Sequence, residues 1–204
     1  MVVIEHDFGR AKRATRGYGL DDIAVVPSRR TRDPEDVSLE WTIDAFTFQI
    51  PVIAAPMDSV MSPETAIQMG KLGGLGVLNL EGLWTRYDDA DAVYKDLSAL
   101  APGDVTATLQ KLYQEPIKPE LITARLDQIR EAGVPVAGAL SPQRTQEFSD
   151  VVLSAGVDLF VIRGTTVSAE HVSSNGTPLN LKEFIYQLDV PVIVGGAASY
   201  TAAL

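Results

Sequence analysis

The sequence predicts an α/β fold in which parallel strands alternate with helices. Short apolar runs recur along the chain, and each run is followed by a turn and then by a helix-like stretch. Runs that are rich in β-branched residues and apolar on both faces are typical of parallel strands covered by helices. Five such runs occur in 204 residues, whereas a (β/α)₈ barrel takes about 250 residues. We therefore predict an incomplete TIM barrel that contains about the first five βα units.

Five apolar runs are the predicted strands of this barrel, and they lie at residues 50–55, 75–78, 134–139, 157–162 and 190–194. Most of the connections between them are short, and a crossover between parallel strands is right-handed in nearly all proteins. We expect the strands to lie side by side in chain order, all parallel, with the helices on the outside of the arc.

Helix signals separate these strands. The first helix is predicted to begin at Ser62, a candidate N-cap that is followed by Pro63 in the first turn and by Glu64, whose charge complements the helix dipole. Further helices are predicted at residues 119–132, 141–156 and 179–188. After the last strand, Ser199 is a candidate N-cap for residues 200–204, which are too few to form a stable helix alone. We therefore expect the sequence to be cut short there.

The gap between the second and third predicted strands is much wider than the others. It predicts an insertion at about residues 81–118, with a short helix at 89–100 and a polar turn at 101–104. We interpret this insertion as an elaborated βα loop, because its composition does not support a separate domain. Residues 1–40 are predicted to form an amino-terminal arm and cap, and residues 41–204 the amino-terminal part of the barrel.

Composition excludes several classes of function. The formal net charge of -10 argues against a nucleic-acid partner. The chain has no cysteine, so it contains no disulfide, thiolate metal site or cysteine nucleophile. His6 and His171 do not have the spacing of metal ligands, and we expect no metal. An acidic start and the lack of any apolar stretch near about 18 residues predict a cytoplasmic protein without a membrane partner.

Two candidate site residues follow the first predicted strand, since ligands bind at the carboxyl ends of strands in parallel α/β folds. Met57 could pack against a planar base, because its thioether tolerates ring faces, or it could fill the core. Asp58 could be a catalytic carboxylate or a local acceptor. Its position four residues before Ser62 favours a local cap or turn.

Further candidates follow the fourth and fifth predicted strands. Arg163 could bind a phosphate or carboxylate, or it could form a salt bridge to a neighbouring loop; Gly164 and Thr165 follow it. Gly195 and Gly196 could allow a ligand to approach the backbone, or they could serve only a tight turn. We expect Arg163 and the last two glycines to line one depression together with the candidates from the first strand.

Five segments of the sequence carry a more specific signal when they are taken together and in this order. They are residues 19–27 (GLDDIAVVP), 50–60 (IPVIAAPMDSV), 73–79 (GGLGVLN), 155–158 (AGVD) and 192–196 (VIVGG). In combination they resemble the inosine 5′-monophosphate (IMP) dehydrogenase and GMP reductase family. The short insertion stands where many members carry a pair of CBS domains. With residues 168–173 (SAEHVS), it most resembles the CBS-lacking, IMP dehydrogenase-related branch of actinobacteria and cyanobacteria.

The resemblance implies an activity. Members of the family are TIM barrels, usually tetrameric, that oxidise IMP to xanthosine monophosphate (XMP) with NAD through a cysteine that forms a covalent thioimidate with the purine. The cysteine loop belongs to the carboxyl half of the barrel, so the resemblance implies no catalytic residue within these 204 residues. A non-catalytic purine-nucleotide-binding or regulatory barrel, and a GMP reductase that releases ammonia with NADPH, stay as alternatives.

The resemblance also implies roles for the candidate residues. Met57 would touch the purine, and Asp58 would help to fix the cysteine loop. Gly195 and Gly196 would line the substrate and nicotinamide side. The expected cofactor-binding residues are Arg163, Gly164 and Thr165. The sequence departs from the family pattern at three positions: Ala55 replaces a serine, Arg163 an aspartate and Ala197 an asparagine.

Overall fold

The computed structural model describes residues 5–7, 9–27, 29–164, 179–198 and 200–203. The chain divides into two compact units, Met1–Ser38 and Leu39–Leu204. The first unit holds an antiparallel pair of short strands, β1 (Glu5–Asp7) and β2 (Arg13–Thr15). It also holds two 3₁₀ turns, Leu20–Asp22 and Pro34–Asp36.

The second unit is built on a parallel sheet of five strands with helices, curled into a half-barrel. Its strands are β3 (Trp41–Ile43), β4 (Phe46–Phe48), β5 (Ile53–Ala54), β6 (Leu75–Asn79), β7 (Ala137–Leu140), β8 (Leu159–Arg163) and β9 (Val192–Gly195). Its helices are α1 (Pro63–Lys71), α2 (Ala90–Ser98), α3 (Val105–Leu112), α4 (Pro119–Glu131), α5 (Pro142–Ser154), α6 (Leu181–Tyr186) and α7 (Tyr200–Ala203), with a 3₁₀ turn at Leu83–Thr85. Strands β3 and β4 form a separate antiparallel hairpin.

The prediction of parallel strands that are adjacent in chain order is confirmed, because the sheet order is β5-β6-β7-β8-β9 and every pairing in it is parallel. The first strand is shorter than the run at residues 50–55 predicts. Its beginning is used by a turn, in which the amide of Ile50 donates to the carbonyl of Gly73 and the Ile50 carbonyl accepts from the Trp41 indole. That these are the first five units of an eight-unit barrel stays a prediction.

Side chains alternate between two cores across the sheet, as the period of two of a strand requires. One core packs against the hairpin β3–β4, and its sheet residues are Leu75, Val77, Ala137, Ala139, Leu159 and Val161. The other packs against the helices and includes Leu78, Phe160 and Ile162, all fully buried with Ile122, Leu126 and Ile129 of α4. We call the face toward the hairpin the inner face.

Helix α1 begins as the sequence predicts. The Ser62 hydroxyl accepts from the amide of Thr65 at 3.1 Å, and the Thr65 hydroxyl accepts from the amide of Ser62 at 2.6 Å. The helix lies close against β6 because Gly76 has no side chain; a Cβ there would lie 2.5 Å from the Cα of Ala66. A capping box and a glycine contact therefore fix this helix on the sheet.

The insertion at residues 81–118, called the loop insertion below, has more helix than the sequence predicts. The expected helix at 89–100 is present as α2, capped by Asp89, but α3 and the 3₁₀ turn were not predicted. Helix α3 contains β-branched residues and has no side-chain cap hydrogen bond, so its local signal is weak. Arg125 of α4 holds the insertion by donating to the carbonyls of Trp84, Tyr87 and Asp88.

The last predicted helices are present in shortened form. The helix expected at residues 179–188 is α6, which begins after Asn180, whose side chain accepts from the amides of Lys182 and Glu183. The predicted cap Ser199 lies outside the described residues. Within the described part of the chain, no helix combines the length and the apolar character that crossing a membrane requires.

Candidate functional site

The carboxyl ends of the strands bring the predicted site residues to one edge of the sheet. Met57 and Asp58 follow β5, and Arg163 ends β8 in register with Gly195 of β9. The pairing continues beyond the strands, because the amide of Gly164 donates to the carbonyl of Gly195 at 2.8 Å. Parallel strands place these ends on one side of the fold. Thr165 and His171 lie outside the described residues.

Met57 lies in a tight turn at this edge. Its carbonyl accepts from the amides of Val60 at 2.9 Å and Met61 at 2.8 Å. The side chain is 47% exposed, so it does not fill the core. The interpretation of Met57 as a core residue is therefore wrong, because the described residues leave its side chain partly exposed at this edge.

Asp58 is a long-range anchor, whereas the sequence favoured a local cap or turn. One carboxylate oxygen, Oδ1, accepts from the side-chain amide of Asn79 at 2.7 Å. The other, Oδ2, accepts from the backbone amide of Leu83 at 2.7 Å and from the hydroxyl of Tyr113 at 2.5 Å. Hydrogen bonds to an ionised carboxylate are among the stronger ones in proteins. The half-buried Asp58 thus joins the end of β6 to both ends of the loop insertion.

Gly82 makes this arrangement possible. A side chain at residue 82 would collide with the carboxylate of Asp58, since a Cβ there would overlap both of its oxygens and its carboxyl carbon. Glycine is common where another group must approach the backbone closely. Sequence reasoning missed Gly82 because the contact joins residues 24 positions apart.

Tyr113 is held between Asp58 and Arg86. The Arg86 guanidinium lies over the Tyr113 ring at 5.4 Å from its centroid, and it donates to the carbonyls of Glu81 and Glu115. Burial is the main cause that raises the pKa of Tyr113 above its usual value, and the hydrogen bond to Asp58 adds to it. The positive charges of Arg86 and Arg163 act in the opposite direction.

Arg163 continues the inner face of β8, because Leu159 and Val161 at alternate positions face the inner core. Its side chain is exposed, and no carboxylate lies within ion-pairing distance of it in the described part of the chain. The expected alternative of a salt bridge to a neighbouring loop thus has no support from the described residues. An exposed guanidinium at the mouth of the half-barrel suits a phosphate or carboxylate ligand.

Gly195, the last residue of β9, leaves space beside the backbone. Among the described residues, no atom lies within 4 Å of the position that a Cβ of Gly195 would take. The amide of Gly196 donates to the carbonyl of Gly164 at 2.8 Å, so this N–H and that of Gly164 are used within the sheet. A flat ring could approach the backbone here, but these two amides are not available as donors to a ligand.

A second tyrosine lies near Asp58. The hydroxyl of Tyr94 is buried and has no hydrogen-bond partner in the described structure. Burial is the main cause that raises the pKa of Tyr94, and the negative charge of Asp58 raises it further. In the described residues, no group of three or more histidine, aspartate or glutamate side chains could hold a metal ion.

We expect the free energy of unfolding to fall as the pH rises above about 10, the usual tyrosine pKa. Unfolded tyrosines lose their protons there, while Tyr94 and Tyr113 in the folded protein keep theirs because their pKa values are raised. The unfolded state then binds fewer protons, and stability decreases with pH. Urea unfolding between about pH 9 and about pH 11 measures this slope. Tyr113→Phe should flatten it.

The control for this measurement is Tyr186→Phe, because Tyr186 is an exposed tyrosine of α6. Its substitution should leave the slope as it is in the unmodified protein. Equal slopes for the unmodified protein and for Tyr113→Phe would contradict the assignment of this pH dependence to Tyr113.

The comparisons with known proteins agree with this geometry. Residues 17–204 match the family model of the IMP dehydrogenase / GMP reductase domain. The chain belongs to the IMP dehydrogenase/GMP reductase family. The family resemblance drawn from the sequence is thereby confirmed.

Family members that resemble the chain over its whole length include uncharacterized oxidoreductases. Those of Mycolicibacterium smegmatis and Mycobacterium leprae are each 48% identical over 203 residues, which is 97% of this chain and 54% of theirs. The IMP dehydrogenase of Methanocaldococcus jannaschii is 35% identical over 66 residues, covering 32% of this chain and 13% of that protein. The chain thus spans about half the length of the family members it matches over its full extent.

A solved structure from the same family has the same fold. It is the crystal structure of an IMP dehydrogenase/GMP reductase-like protein from Corynebacterium glutamicum, with a TM-score of 0.90 and 47% sequence identity. The match covers 98% of this chain and 53% of that protein. A likeness of this extent supports an incomplete α/β barrel.

Proposed function

We propose that the full-length protein oxidises IMP to XMP with NAD, as a homo-oligomer, expected to be a tetramer, in the synthesis of guanine nucleotides. This chain would supply the amino-terminal part of the barrel and one wall of the active site. The observation that carries the proposal is the position of Met57, which is held half-exposed at the carboxyl edge of the sheet by the anchored Asp58 beside it. The edge also holds Arg163 and Gly195.

The residues of this edge have separate roles in the proposal. The Met57 side chain packs against the purine ring, where its flexible thioether adapts to a ring face. Asp58 is a positioning residue, since its carboxylate is occupied by three donors from the protein. Gly195 and Gly196 would line the substrate and nicotinamide side, and Gly195 leaves room there for the approach of a flat ring.

NAD is the proposed cofactor, and the residues present fit it in two respects. No atom of the described residues lies within 4 Å of where a Cβ of Gly195 would be, which leaves room for a ring to approach, and the exposed Arg163 attracts an anionic cofactor. Arg163, Gly164 and Thr165 would hold it. When bound, NAD supplies the acceptor for the hydride that leaves C2 of the purine. The chain has no cysteine, so the thiol of a covalent route would come from residues outside it.

Arg163→Ala in the full-length protein is expected to raise the KM for NAD about tenfold, because a charge-assisted contact contributes about 1.5–3 kcal/mol and part of it is lost to water. The KM for IMP should change less than about twofold. Steady-state kinetics with each substrate varied in turn measures both. Arg144→Ala is the matched control, since Arg144 is an arginine of α5 paired with Glu147. A KM for NAD that both substitutions leave unchanged would refute the role of Arg163.

The reaction itself is tested with the purified full-length protein. NADH formation from IMP and NAD supports the proposal. Consumption of NADPH with release of ammonia from GMP would instead identify a GMP reductase. Binding of IMP without either reaction would identify a nucleotide-binding or regulatory barrel.

A further inference from the structure

The loop insertion contacts Asp58 at both of its ends. Near its start, the amide of Leu83 donates to the carboxylate, and Gly82 leaves room for it. Near its end, Tyr113 follows α3 and donates its hydroxyl to the same oxygen, Oδ2. The carboxylate is therefore shared by two segments of one insertion that are 30 residues apart.

Tyr113 is itself fixed in place. The Arg86 guanidinium lies over its ring, and Arg86 is only 8% exposed and bonded to two backbone carbonyls of the insertion. The hydroxyl of Tyr87 donates to the carbonyl of Leu112 at 3.0 Å, one residue before Tyr113. A side chain supported in this way can hold its partner in one position, because little freedom remains to it.

The fixed position of Asp58 restricts its neighbour in the chain, Met57. Met57 and Asp58 lie in the same turn, whose hydrogen bonds run from the amides of Val60 and Met61 to the Met57 carbonyl. With the Asp58 side chain fixed on three donors, the backbone of Met57 has little room to shift. The thioether is then presented to the carboxyl edge in one place.

We propose that Tyr113 is a positioning residue that sets the place of Met57 through Asp58, and that the loop insertion thereby tunes the affinity for the purine nucleotide. This inference rests on the proposed function, because it takes the purine as the ligand of Met57. It assigns to the insertion a part in substrate binding, although Tyr113 itself does not touch the substrate.

The experiment measures the Kd of the full-length protein for IMP by titration calorimetry. Tyr113→Phe keeps the ring over Arg86 and removes only the hydroxyl that bonds Asp58. It is expected to raise the Kd about tenfold while the KM for NAD changes less than about twofold. The side chain is 39% exposed, so the variant should fold, and its melting temperature checks this.

Ser98→Ala is the matched control. It removes a hydroxyl that donates to the carbonyl of Lys95 in α2 of the same insertion, so it perturbs the insertion without touching Asp58, Tyr113 or Arg86. Its Kd for IMP should stay within about twofold of the unmodified protein. An equal loss of affinity in both variants would overturn the inference, because the insertion would then act only through its general stability.

A double-mutant cycle with Met57 separates positioning from structure. Met57 is exposed, so Met57→Ala should fold. In that background Tyr113→Phe should raise the Kd no further, since the side chain that it positions is gone. Independent, multiplicative effects would overturn the inference, and so would equal IMP binding by Tyr113→Phe and the unmodified protein. An unmodified protein that binds no IMP would overturn the proposed function as well.

Discussion

The 204-residue chain by itself, supplied with IMP and NAD, is expected to form no NADH. The covalent route needs a thiolate to attack the purine, and this chain has no cysteine. The absorbance of NADH measures this activity.

The open edges of the sheet predict a second property of the chain. The sheet ends in two strands, β5 and β9, that each have one partner in the described structure. Open strand edges and exposed apolar side chains favour aggregation or pairing with a complementary half.

The same assay with the full-length protein is the positive control. Activity that appears only with the longer protein would support the enzyme reading over a non-catalytic barrel. Turnover by the short chain at about 1 per second or faster, a rate typical of enzymes, would show that another nucleophile operates. The covalent mechanism proposed for this protein would then be wrong.

Gly82→Ala is expected to lower the free energy of unfolding by about 3 kcal/mol, from overpacking together with weakened bonds to a carboxylate. The added methyl group would collide with the Asp58 carboxylate, so either the start of the loop insertion or Asp58 must move. Either shift strains the bonds from Leu83 and Asn79. Urea unfolding of the full-length protein gives the free energy.

Gly103→Ala is the control for this substitution. Gly103 lies in the same insertion, and no atom of the described residues is within 4 Å of the position that a Cβ would take there. Its replacement should change the stability by less than about 0.5 kcal/mol, as is usual for surface positions. Similar losses of unfolding free energy in the two variants would show that any added methyl group destabilises the insertion, and would refute the specific role of Gly82.

The sheet could be predicted from the sequence because parallel strands carry their signal locally. Runs such as residues 157–162 are apolar on both faces, and the structure buries them from Leu159 to Ile162. The hairpin β3–β4 was missed, although Trp41, Ile43, Phe46 and Phe48 alternate with polar or small residues. Its turn includes Asp44 at φ 50°, a conformation that aspartate tolerates better than most residues.

The candidate site was predictable only in part, because its positions follow the strands but its contacts do not. Met57, Arg163 and Gly195 were found from the rule that ligands bind at carboxyl ends of strands. The partners of Asp58 could not be found in this way, because Tyr113 is 55 residues distant and lies after a helix with a weak signal. A contact between distant segments leaves no local pattern in either of them.

The attachment of the loop insertion at both ends has a consequence for how this region can change in length. Leu83 and Tyr113 are fixed on one carboxylate, whereas residues 101–104 between α2 and α3 are an exposed turn. Exposed turns of this kind are where proteins accept added segments. A domain inserted into this turn would leave Leu83 and Tyr113 bonded to Asp58. The insertion could therefore become longer, by evolution or by engineering, without changing the edge of the sheet at which Met57 lies.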